Sequence, residues 1–78
     1  MNDIDYIRNL IVENEGRIRS IEGELSQEEG KVNNSNLSEN EKQTIEQSIH
    51  ALKQRKQDYI IAIETLQNEM RQLENKEN

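Results

Sequence analysis

VNNSNLSENEK, residues 32–42, is the one interruption in an otherwise helix-favouring chain. Asn33, Asn34, Ser35 and Asn36 carry short polar side chains that bond their own backbone and favour turns over continued helix. Immediately after them, Ser38 and Glu41 have the spacing of a capping box, in which a hydroxyl and a carboxylate satisfy the N–H groups of a helix start. The stretch therefore predicts one helix over about 3–32, a loop over 33–37 and a second helix over about 38–75, together a single unit spanning 1–78.

Working outward from the loop, both flanks carry heptads. Upstream, Ile4, Ile7, Ile11, Asn14, Ile18, Ile21, Leu25, Glu28 and Val32 alternate steps of three and four, the spacing of an a/d seam with Ile4 at position a. Downstream, Ile45, Ile49, Leu52, Lys56, Tyr59, Ile63, Leu66, Met70 and Leu73 do the same, with only Lys56 breaking the apolar character. At about 1.5 Å per residue the helices are roughly 45 Å and a little under 60 Å long. Such helices gain most of their stability from packing an apolar face. A short loop makes them antiparallel neighbours. Folding the chain about residues 36 and 37 then sets Ile4 against Met70, Ile7 against Leu66, Ile11 against Ile63, Ile21 against Leu52 and Leu25 against Ile49. Two seams read independently coincide, so the expected fold is all-α, a two-helix antiparallel coiled-coil hairpin.

Three features depart from a plain seam. In its middle, Asn14 is expected opposite Tyr59 and Ile18 opposite Lys56, a polar layer of Asn14, Lys56 and Tyr59 of the kind that sets register at some cost in stability. Gly16, Gly23 and Gly30 recur at seven-residue spacing and all occupy position f, farthest from the seam, where a glycine lowers helicity without leaving a hole in the core. Finally, Tyr6, Leu10, Val12, Ile60 and Ile61 are apolar but lie off the seam, toward the open end of the hairpin. Exposed apolar patches on small proteins mark contacts, so these five residues are the expected partner or dimer interface. Two hairpins joined there would form a four-helix bundle, and a homodimer is expected. The flanking charges are mixed: Glu22 near Lys53 and Lys31 near Glu41 are favourable, whereas Arg17 near Arg55, Glu29 near Glu46 and Asp3 near Glu69 are not.

Composition excludes several function classes. Of 78 residues a third are charged and 31% apolar, with no Pro, Cys, Trp or Phe, a profile of long helices rather than of a cleft-bearing enzyme. The net charge of -6 opposes direct binding to nucleic acid, the one basic cluster being Lys53, Arg55 and Lys56. The segment MNDIDYIRNLIVENE has neither a basic start nor an unbroken apolar run, so no signal peptide or membrane association is expected, and cysteine-free chemistry fits the cytoplasm. His50, at position b, is expected to be solvated. The Glu24, Glu28 and Glu29 group lacks the donors of a soft-metal site and the alternating oxygens of a calcium loop. Neither catalysis nor a cofactor is expected.

What remains is a small acidic protein-binding module, an adaptor or inhibitor that offers a helical face to a larger protein. A bias toward Asn, Ile, Lys and Glu suggests AT-rich coding, which fits a phage-encoded regulator of a host or defence protein. The alternative is a nucleic-acid mimic, in which Glu13, Glu15, Glu22, Glu24, Glu28 and Glu29 form an acidic face for a basic groove. A structural assembly or scaffold role is the third reading.

Overall fold

The computed structural model describes residues 3–34 and 36–77. Two helices make up the fold, α1 over Asp3–Val32 and α2 over Glu39–Glu77, packed as an all-α helical hairpin. The hairpin is a rod, with principal extents of 61 × 14 × 14 Å. Each helix opens on acidic residues, Asp3 and Asp5 or Glu39 and Glu41, and closes on a lysine, Lys31 or Lys76, as the helix dipole favours.

The turn is built as its side chains dictate. The Asn34 backbone N–H donates to the Lys31 carbonyl at 3.1 Å, tightening the end of α1. Asn36 N–H then donates to Asn34 Oδ1 at 3.0 Å, an asparagine side chain standing in for a backbone turn. Ser35, counted above among the turn formers, lies outside the described residues. At the start of α2 the capping box is complete. Glu41 N–H donates to Ser38 Oγ at 3.1 Å, Ser38 N–H donates to Glu41 Oε1 at 3.2 Å, and Lys42 N–H donates to the Ser38 carbonyl at 3.0 Å. Replacing Ser38 with alanine removes the acceptor for Glu41 N–H and is expected to lower stability by about 1 kcal/mol, read as a shift in the urea midpoint. An unchanged midpoint would show that water caps the helix equally well.

The core is a narrow seam. Ile21, Leu25 and Leu52 form its tightest cluster, with Ile49 and Tyr59 packed against them. Toward the open end Ile4, Ile7 and Ile11 are also buried. Among the described residues of α2 only Leu52 reaches that state, while Ile45, Ile49, Tyr59, Ile63, Leu66, Met70 and Leu73 stay half-buried. One partner helix covers only one side of a seam, so its edges remain in contact with water. The surface area of 5932 Å², against about 4,900 Å² expected for a compact monomer of this mass, follows from the elongated shape of the rod.

Candidate interaction surface

The polar layer resolves into two cross-helix contacts. Lys56 occupies a seam position with its side chain about one-third exposed, and its Nζ leaves the seam to lie 3.1 Å from Glu22 Oε2. The stem packs while the ammonium reaches an exposed carboxylate, as an amphipathic side chain does. Tyr59 packs against the Ile21, Leu25 and Leu52 cluster and carries the Arg17 guanidinium over its ring, 5.8 Å from the centroid. Asn14 is half-buried.

These contacts revise the charge pairs expected from heptad position. Glu22 pairs with Lys56 in place of Lys53. Lys31 takes Glu28 Oε1 at 3.0 Å in place of Glu41, whose carboxylate is already engaged by the backbone N–H of Ser38. That pairing also neutralises Glu28, a carboxylate at a seam position with a side chain only 20% exposed. Arg17 turns onto the aromatic face of Tyr59, which supplies a favourable site for a cation. The like-charged Asp3 and Glu69 line one cleft at the open end.

The glycines sit where a side chain would meet little. A Cβ on Gly23 or Gly30 would have nothing within 4 Å, and one on Gly16 would meet only the flexible Arg19 Nη2 at 3.7 Å. None of the three has a positive φ.

The off-seam apolar residues divide between two flanks. Tyr6 at position c and Leu10 at g share one flank with α2 positions g and c. Val12 at b and Ile60 at e lie on the other, and Ile61 at f faces outward beside it. Tyr6, Val12 and Ile61 are 48%, 56% and 52% exposed, the most open of the large apolar side chains among the described residues, while Leu10 and Ile60 are half-buried. The first flank is grooved at both ends. Near the chain termini, Tyr6 borders one cleft with Asn9, Leu10 and Glu13 and a second with Ile7 and Leu73. Near the loop, Leu37, Thr44 and Ile45 line a third cleft with Lys31 at its rim. This closed-end cleft has no counterpart in the heptad reading, because Leu37 belongs to the loop.

Of the acidic candidates, Glu13, Glu15, Glu22, Glu24 and Glu29 are exposed and Glu28 is half-buried. Lys56 and Lys31 hold Glu22 and Glu28, so the row is interrupted by cations. Among the described residues no group of three or more His, Cys, Asp or Glu side chains could hold a metal ion, and no helix is long and apolar enough to cross a membrane. The chain matches no family model, no curated protein and no solved structure.

Proposed function

We propose that this hairpin is a small protein-binding module of the cytoplasm, an adaptor or inhibitor that acts through a helical face on a larger protein. The observation that carries this reading is the exposure of Tyr6, Val12 and Ile61 on a rod whose seam is already formed. Large apolar side chains left in water on so small a chain are surface held ready for contact, and aromatic and aliphatic anchors dominate binding energy at interfaces. Acidic mimicry of nucleic acid is less well supported, because the carboxylate row is interrupted by Lys31 and Lys56.

The test is affinity capture from the native host lysate by tagged wild-type protein and by Val12→Glu/Ile61→Glu, at low and high salt. A partner retained at high salt and lost with the double variant is the expected result. Capture that the variant leaves intact and salt abolishes would replace this reading with the electrostatic one.

A further inference from the structure

We propose that the hairpin has a second register, in which α1 is displaced along α2 by one heptad, about 10 Å, toward the open end, and that ionic strength sets the balance between the two. The shift is a regulatory device for the partner surface. Val12 and Ile61 lie at about the same level on the rod in the observed register and would stand about 10 Å apart along it in the second. The regulatory part therefore rests on the protein-binding reading, whereas the second register does not.

Length and packing leave room for the shift. Asp3 lines a cleft with Glu69, so α2 continues for about a heptad past the described start of α1. Displacement by one heptad moves every facing pair by the same seven residues and keeps position a against a and d against d. Ile7 then meets Leu73, Ile11 meets Met70, Ile18 meets Ile63, Ile21 meets Tyr59 and Val32 meets Ile49. The seam keeps as many apolar layers as before, and Ile18 exchanges Lys56 for an isoleucine. The cost falls on Leu25 and Leu52, which leave their shared cluster to face Lys56 and Glu28. It falls also on the capping box, because the turn then lies between Val32 and Ile49 and the first turns of α2 unwind.

Charge favours the shifted register. In the observed one, Arg17 and Arg55, Glu29 and Glu46, and Asp3 and Glu69 occupy facing positions. The shift removes all three like-charge pairs. Glu24 comes to face Arg55, Glu29 to face Lys53, Asp3 to face Lys76 and Arg8 to face Glu74. Lys56 keeps a carboxylate, because Glu15, Glu22 and Glu29 recur at heptad spacing and Glu29 takes the place of Glu22. The opposite displacement sets Glu22 against Glu46 and Glu24 against Glu41, so charge supports one direction only. Against this, the observed register is held by the cluster of Ile21, Leu25 and Leu52 and by the Arg17 guanidinium on Tyr59. Exposed pairs are individually weak and screened by salt, while apolar packing is not, so low ionic strength shifts the hairpin and high ionic strength returns it.

The chain contains no cysteine, so Asn9→Cys/Gln54→Cys puts one spin label on an f position of each helix, outside the seam and outside every facing charge pair. The labelled protein is diluted into excess unlabelled protein, so that pulsed dipolar EPR spectroscopy reads distances within one chain. The shift lengthens the axial separation of the labels by about 10 Å. Two distances are expected, the longer one several-fold more populated at about 0.01 M salt than at about 1 M. Adding Arg55→Glu makes the facing pair with Arg17 attractive and that with Glu24 repulsive, and is expected to abolish the longer distance. Glu64→Lys, at position b and outside both sets of pairs, is expected to retain it. A single distance at both salt concentrations, a longer distance that Arg55→Glu leaves in place, or equal loss in both variants would overturn the proposal. Capture of a larger protein through Val12 and Ile61 would survive any of these outcomes, so the two readings fail separately.

Discussion

Ile21→Ala is expected to lower the stability of the hairpin by about 3 kcal/mol and its Tm by roughly 10–20 °C. Ile21, at 2% exposure, is the most completely buried of the core residues among those described, and it clusters with Leu25 and Leu52. Truncation removes apolar burial and leaves a void that a two-helix core has few neighbouring side chains to refill. A chain of this length has only about 4–12 kcal/mol in total, so the loss is a large part of it. Ile61→Ala serves as the comparison. At 52% exposure it is expected to change stability by less than about 0.5 kcal/mol. Equal effects at the two positions, measured by urea unfolding monitored at the helical circular dichroism signal, would mean that the core is not centred on Ile21.

The second large effect has the opposite sign. Gly16→Ala/Gly23→Ala/Gly30→Ala is expected to raise stability by about 2–3 kcal/mol, since each glycine in a helix interior costs about 1 kcal/mol relative to alanine. The structure permits all three changes, with open space or ordinary contact at every new Cβ and no positive φ to strain. Much of the gain comes from restricting the unfolded chain. A rise in Tm of roughly 10 °C or more is the expected thermal result. A fall would show that the smooth stripe of α1 is packed against something in solution, and that the glycines are kept for close approach.

Much of the hairpin is legible in the sequence because its signals are local and agree. Asn33 to Asn36 favour a turn, Ser38 and Glu41 cap the next helix, and the seam residues recur with the helical period, so turn, start and buried face are specified by residues near one another in the chain. The described caps follow that pattern atom for atom. Legibility fails where long side chains choose among several partners. Heptad letters set Glu22 beside Lys53, yet Lys56 reaches it from a seam position about one helical turn away. Lys31 is diverted from Glu41 because the cap has already engaged that carboxylate. Arg17 finds an aromatic ring that no charge pattern encodes. The candidate surface is legible as five apolar residues off the seam, and heptad letters divide them between two flanks, but the grooves at the two ends of the Tyr6 flank depend on how the helices lie together.

A homodimer is expected because the seam edges along α2 stay half-buried and Tyr6, Val12 and Ile61 are exposed. The most direct test is the concentration dependence of thermal unfolding, because association with the folded state alone raises Tm as chain concentration rises. Wild type is expected to show a Tm that climbs by several degrees across a hundredfold range of concentration, and Leu10→Glu a lower Tm that does not move. A constant Tm for both proteins, with a wild-type mass of 9.2 kDa at the highest concentration, would show that the hairpin does not self-associate and contradict the homodimer.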